Sequence, residues 1–292
     1  MHKSVLLQES VDALDLKEGE VYLDGTLGSG GHTAEVVRRF GSRVRVIGLD
    51  QDREALERSE KVLRNLLEDI YLKQANFKDL DKILEELKID SVDAILLDLG
   101  FSSDQIEESG RGFSFQKDEP LDMRMSEEGF TAATILNSWD EDAIELILRG
   151  FGEEEHSKKI ARAIVERREL KPFETTFDLV QTILEAKPKR FYSKTHPATK
   201  TFQALRITVN EELRNLEIGL EKGFQALKSG GRFSIISFHS LEDRIVKNFF
   251  RNLVQEESAK AITKKPLTAS EEEVRDNPRS RSAKLRVIEK LK

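Results

Sequence analysis

The stretch Val21-Tyr22-Leu23-Asp24-Gly25-Thr26-Leu27-Gly28-Ser29-Gly30-Gly31-His32 decides the fold. An apolar triplet makes a short strand, a loop with glycines at 25, 28, 30 and 31 follows, and residues 33–40 read as a helix. The same alternation continues outward. Residues 44–49 form a β-branched strand ending at Asp50, and 54–68 a helix. A strand over 70–73 precedes a helix over 80–87, and a buried strand over 92–97 ends at Asp98. Strands alternating with helices predict a parallel sheet with helices on both faces.

Beyond Asp98 the rhythm breaks. Residues 102–122 are rich in Gly, Ser and charge and read as a loop or lid. Helices are expected at 131–137, 141–149, 157–169 and 176–185, and a longer one from 210 to 228, stopped by Ser229-Gly230-Gly231. A strand over 232–238, a helix over 241–253 and a last strand over 283–289 complete the pattern, with a loose polar segment at 261–281. The expected architecture is α/β: a core of residues 1–107 and 213–292, with an all-helical insertion at 108–212.

Composition narrows the chemistry. The chain has 292 residues and no cysteine, which excludes disulfides, zinc–thiolate sites and thiol nucleophiles. Its apolar runs are too short to span a membrane, and the first residues lack a signal-peptide stretch, so the cytoplasm is the expected compartment. The net charge of −7 is unevenly spread. Residues 187–206 carry Lys187, Lys189, Arg190, Lys194, Lys200 and Arg206 with no acidic residue, and 251–292 hold eleven basic against seven acidic side chains. Basic stripes on an acidic chain suit a polyanion docking in one orientation, although a charge run is more often a solvated face.

In open α/β sheets, ligands bind beyond the carboxyl ends of the strands. The glycine loop permits close backbone approach, and Asp50, closing the next strand, can accept both ribose hydroxyls of an adenosine. A dinucleotide fingerprint requires a third glycine where Thr33 stands. Asp24 ahead of the glycines would repel a pyrophosphate but can orient a sulfonium or ammonium, which favours S-adenosylmethionine. A phosphate-binding Walker loop is excluded, since no Gly-Lys-Ser/Thr follows the glycines. At the third strand end, Asp98-Leu99-Gly100-Phe101 stands where amino-methyltransferases carry a polar residue and an aromatic. There a carboxylate can hold amine protons, and Phe101 can stack on a base swung out of its helix. No metal is required. His239, after a strand, reads as a general base, a substrate anchor or a backbone-bonded residue. His32 reads as a backbone contact in the cofactor loop. Phe113, Phe115, Met123 and Met125 read as insertion core or as flanks of a target base. Arg111, Arg124, Arg206, Arg279 and Arg281 are phosphate candidates.

The sequence resembles the MraW (RsmH) family of bacterial rRNA cytosine-N4 methyltransferases over nearly its whole length. The resemblance rests on the glycine loop, Gly48-Leu49-Asp50-Gln51-Asp52, Asp98-Leu99-Gly100-Phe101-Ser102-Ser103 and Arg111-Gly112-Phe113-Ser114-Phe115. It extends through Pro120-Leu121-Asp122-Met123-Arg124-Met125, Phe202-Gln203-Ala204-Leu205-Arg206-Ile207, Ser237-Phe238-His239-Ser240-Leu241-Glu242-Asp243-Arg244 and Asn277-Pro278-Arg279-Ser280-Arg281. The resemblance implies a class I methyltransferase fold with a helical insertion, acting on one cytidine in the decoding region of 16S rRNA, within a small subunit or a late assembly intermediate. It implies cofactor contacts at Gly30, Gly31, His32, Asp50, Phe77, Asp98 and Gln105, to which the reading of the loop itself adds Asp24 and Gly28. Other readings of the same core are a DNA or small-molecule amine methyltransferase, and a non-enzymatic adenosine-binding assembly factor.

Overall fold

A computed structural model describes residues 3–67, 70–100, 109–126, 128–187 and 196–292. The chain divides into two compact units, Met1–Ser102 with Leu213–Lys292, and Ser103–Glu212. The first unit holds strands β1 (Val21–Asp24), β2 (Arg45–Asp50), β3 (Ile70–Gln74), β4 (Val92–Asp98), β5 (Leu227–Ser237), β6 (Ala259–Ala261) and β7 (Lys284–Lys290). They form one sheet in the order β3-β2-β1-β4-β5-β7-β6. The pairs from β3 through β5 are parallel, as expected; β7 runs antiparallel to β5, and β6 antiparallel to β7.

Helices α1 (Leu7–Leu14), α2 (Gly31–Phe40), α3 (Arg53–Leu63) and α4 (Leu80–Glu86) belong to this unit. Neighbouring strand residues face opposite layers. Leu23, Ile47, Ile95 and Leu97 join one core, while Tyr22, Val46, Ala94 and Leu96 join the other with Val11, Val36 and Leu63. Strands buried on both faces explain why these segments read as continuous apolar runs rather than as alternating ones.

The second unit carries α5 (Ala132–Ser138), α6 (Glu141–Gly150), α7 (Ser157–Arg168), α8 (Thr176–Ala186) and α9 (Thr199–Val209), and no strand among its described residues. Its core collects Met123, Ile135, Leu148, Ile164, Phe173 and Leu205. Side-chain oxygens of Thr131 and Asp140 cap α5 and α6, and a reciprocal Thr175–Asp178 box caps α8. The first unit resumes with α10 (Glu212–Ala226), α11 (Ser240–Gln255) and α12 (Glu271–Asp276).

Four expectations need correction. The helix after β2 stops at Leu63 rather than 68; the Asn65 amide donates to the Lys61 carbonyl there, a local bond that competes with the helix ladder. Ser229-Gly230-Gly231 does not end a helix but lies within β5, where Val92 pairs Leu227 and Ala94 pairs Arg232. Four residues of β5 thus oppose Asp93 alone, and Gly230 takes φ 81° to make the bulge. The polar segment 261–281 is structured: Leu267 bridges Leu285, and α12 occupies its centre. The basic run 187–206, of which 188–195 lie outside the described residues, contains the unexpected helix α9, which buries Phe202 and Leu205; Lys187 is half-buried, its ammonium 2.6 Å from both Glu154 Oε2 and the Pro197 carbonyl.

Fully buried Ile95 sits at the centre of the sheet. We expect Ile95→Ala to cost about 2–5 kcal/mol in urea unfolding, against less than about 1 kcal/mol for Lys228→Met, which removes a partly exposed ion pair to Asp93.

Candidate active site

Strand order reverses between β1 and β4, so their carboxyl ends open the crevice where doubly wound sheets take ligands. Aspartates end three neighbouring strands there: Asp24 on β1, Asp50 on β2 and Asp98 on β4. Asp24 accepts hydrogen bonds from Thr33 Oγ1 (2.7 Å), the Thr26 amide (3.1 Å) and the Tyr22 hydroxyl (3.3 Å). Burial pushes its pKa up to about 6 against the pull of those donors. Asp50 is likewise raised to about 6 by burial, while its two oxygens accept the amides of Gly28 (2.7 Å) and Asp52 (2.8 Å).

Asp98 differs from both. Its amide donates to Thr26 Oγ1 (2.6 Å), which ties the end of β4 to the glycine loop. Its Oδ2 lies 3.7 Å from His32 Nδ1, and its Oδ1 is buried with no hydrogen-bond partner among the described residues. Burial first, then the charges of Asp24 and Glu242, raise this carboxyl well above the ordinary range. An acceptor buried without a donor costs about 1–3 kcal/mol unless a ligand supplies one. Three crowded carboxyls together favour a cation, and a group with N–H bonds beside it.

The loop owes its shape to both backbone and packing. Gly28 and Gly30 adopt φ 52° and 75°, so glycine is required there. Gly30 stands at the start of α2, which no side chain caps. Gly25 and Gly31 are glycine for another reason. A Cβ at 25 would lie 2.4 Å from Leu97 Cδ2 and 3.0 Å from Phe77 Cβ, and one at 31 would fall on Ser4 Oγ. Those two glycines therefore admit the protein's own side chains, where close approach to a ligand was expected. The first contact also places Phe77, after β3, against the loop.

His32 is buried, with Nε2 3.1 Å from the Val5 carbonyl oxygen, so its side chain does more than the expected backbone contact. His239 caps α11: its Nδ1 accepts the Glu242 amide (3.4 Å), while Glu242 Oε2 accepts the amides of Phe238 (2.9 Å) and His239 (3.3 Å). With Nδ1 accepting, the neutral ring carries its hydrogen on Nε2, 3.1 Å from Glu242 Oε1. Of the expected roles, the backbone-bonded cap is the one the geometry shows.

Three of the five candidate arginines are engaged within the second unit. Arg124 forks onto Asp122 (2.7 and 2.8 Å), and Arg206 onto Glu212 (2.8 Å twice). Arg111 donates to the carbonyls of Arg124 and Met125 (3.1 Å each) and lies over the Phe113 ring. Met123 and Met125 are buried, and Phe113 and Phe115 pack on the core of that unit. Arg279 is half-buried and Arg281 is exposed, in the short turn Pro278–Ser282. Phe101 and Gln105, both expected at the site, lie outside the described residues.

Sequence reading missed Thr26, Thr33 and Glu242. The signal for Glu242 was its spacing, three residues after His239 at a helix start, which is the capping-box pattern with an unusual cap. Nothing in the sequence pairs Thr26 with Asp98, 72 residues away. We expect carbon-13 carboxyl NMR of the ligand-free protein to place the titration midpoints of Asp24 and Asp50 near 6. As pH falls through that value both become neutral, and the pull on a cation fades.

The MraW methylase family model matches residues 1–291. A ribosomal RNA small subunit methyltransferase H of Clostridium botulinum (strain Loch Maree) is 47% identical over 306 residues, covering 99% of each chain. The protein of the same name in Kosmotoga olearia is 48% identical over 294 residues, covering 99% of this chain and 97% of its own. Among solved structures, a candidate rRNA-methylase from Clostridium thermocellum covers 100% of both chains at TM-score 0.51 and 15% identity, a likeness of fold alone. The sheet is the Rossmann-like one expected from the sequence, and the sequence match spans all but the last residue: this chain belongs to the MraW methylase family.

Proposed function

We propose that this chain transfers a methyl group from S-adenosylmethionine to the exocyclic N4 of one cytidine in the decoding region of 16S rRNA, leaving S-adenosylhomocysteine. The observation that carries this reading is Asp98 Oδ1, a buried acceptor with no partner among the described residues, at the end of β4 beside the glycine loop. The small-subunit rRNA named for the relatives supplies the substrate class.

The cofactor brings an electrophilic methyl on a cationic sulfur. The protein's part is to bind, orient and hold protons. The loop backbone at Gly28, Gly30, Gly31 and His32 takes the methionine end, with Asp24 beside the positive charge. Asp50, whose oxygens each keep a second lone pair, takes the ribose hydroxyls, and Phe77 lies along the adenine; Gln105 joins the methionine end. A cytosine amine is a poor nucleophile because its lone pair is delocalised into the ring. Asp98 Oδ1 accepts one of its N–H bonds and draws the nitrogen toward tetrahedral geometry. In-line positioning of this kind can supply roughly 7–11 kcal/mol of the barrier.

Residues 108–212 act as the substrate-recognition domain. Arg111, Arg124 and Arg206 brace that unit, Arg279 and Arg281 meet RNA phosphate, and Phe101 stacks on the extruded base. The substrate is folded RNA in a small subunit or late assembly intermediate, met in the cytoplasm and read by shape and phosphates. No helix of the described residues is long and apolar enough to cross a membrane.

Mass spectrometry of rRNA nucleosides from a deletion strain should show N4-methylcytidine lost from the small subunit; an undiminished level overturns the proposal. Labelled-methyl transfer to small subunits but not to DNA or free amines separates it from other amine methylation, and binding without transfer would mark an assembly factor. Asp50→Ala should weaken cofactor binding roughly 10–100-fold in calorimetry. Asp98→Ala should instead slow transfer about 100-fold or more, with little change in cofactor affinity.

A further inference from the structure

We infer that His32 is a positioning residue for Asp98: anchored to the Val5 carbonyl, its protonated imidazole pairs with the Asp98 carboxylate and holds it ionised to receive the proton of the amine. This rests on the methyl-transfer reading above and assigns a role to a side chain that the reading uses only through its backbone.

The geometry begins with Val5. A carbonyl oxygen only accepts, so the 3.1 Å contact puts the ring hydrogen on Nε2, and in the neutral ring Nδ1 is the basic nitrogen. That nitrogen faces Asp98 Oδ2 at 3.7 Å, within ion-pair range. The anchor is itself fixed on two sides. Leu6 donates its amide to Glu273 Oε1 (2.8 Å), and the Asn277 amide donates to the Lys3 carbonyl (3.0 Å). The Val5 and Leu6 side chains are buried with Ile236, Ala283 and Leu285. The N-terminal strap is therefore held by the C-terminal turn, and the ring by the strap. The charges that act on Asp98 from other elements are Asp24 on β1 and Glu242 on α11, both acidic, with the Tyr22 hydroxyl bonded to Asp24 behind them. His32, on α2, is the group that, once protonated, balances a carboxylate in that company.

The step balances as follows. The amine nitrogen attacks the methyl carbon; the N–C bond forms as the C–S bond breaks, and the electron pair leaves with sulfur. The extra proton on nitrogen passes to the Asp98 carboxylate, which the imidazolium has kept ionised, and from there to solvent after product release. The imidazolium keeps its Nε2 hydrogen on Val5 and its Nδ1 hydrogen toward Asp98 throughout.

His32→Gln tests this, because its amide can still donate toward Val5 while offering no positive charge to Asp98. The measurement is single-turnover methyl transfer to small ribosomal subunits between pH 5.5 and 9, with cofactor affinity by calorimetry. Removing a group that can turn cationic beside Asp98 makes its ionised form harder to reach. The acid limb of the rate profile should therefore move to higher pH, by about one unit. The rate at neutral pH should fall at least about tenfold, with cofactor affinity within about threefold, and the same substitution in an Asp98→Asn background should add less than about twofold. An acid limb that stays in place, whether the rate is unchanged or uniformly lower, overturns the inference, as does a full additional loss in the Asp98→Asn background. Should His32→Gln fail a circular-dichroism check of folding, His32→Asn carries the same expectations. Wild-type protein that methylates no subunit would instead sink the methyl-transfer reading itself.

Discussion

Three crowded carboxyls at adjacent strand ends, two buried and the third half-buried, are the constraint around which the first unit is organised. Parallel strands deliver Asp24, Asp50 and Asp98 to one edge of the sheet, and burial makes their charged forms costly. Backbone amides and hydroxyls offset that cost for Asp24 and Asp50. For Asp98 the offset is incomplete, and the deficit falls at the place where a sulfonium and an amine would lie.

The glycine loop is shaped by these carboxyls as much as it serves a ligand. Asp50 reaches back across 22 residues to hold the Gly28 amide, and Asp24 clamps Thr26 and Thr33 at the two ends of the loop. Thr26 in turn receives the amide of Asp98. One substitution in this group therefore moves more than one partner. Asp50 is a brace for the loop before it is a contact for ribose, and a loss of cofactor affinity on its removal combines both effects.

Much of this was legible in the chain because local signals agreed. The strands at 21–24, 45–50 and 92–98 are apolar on both faces and end in aspartate, and the glycine loop allows few conformations. Helices α5 to α8 of the second unit carried clear apolar periodicity and sit where it places them, within about one residue, whereas α9 was not read from the sequence. What escaped depends on contacts distant in sequence. A threonine at 26 says nothing of its bond to residue 98. The antiparallel β7 is indistinguishable from a parallel strand by pattern, and Ser229-Gly230-Gly231 serves a bulge as well as it serves a helix stop. Nor does charge on a sequence show that Glu212 or Asp122 forks with an arginine.

The central claim is that the unpartnered oxygen of Asp98 is the acceptor for the amine being methylated. A crystal structure with S-adenosylhomocysteine and a cytidine oligonucleotide bound tests it most directly. The expected result puts the cytosine N4 about 3 Å from Asp98 Oδ1, on the side of the former methyl group. An amine held by other groups, with Asp98 Oδ1 still without a donor, would contradict it.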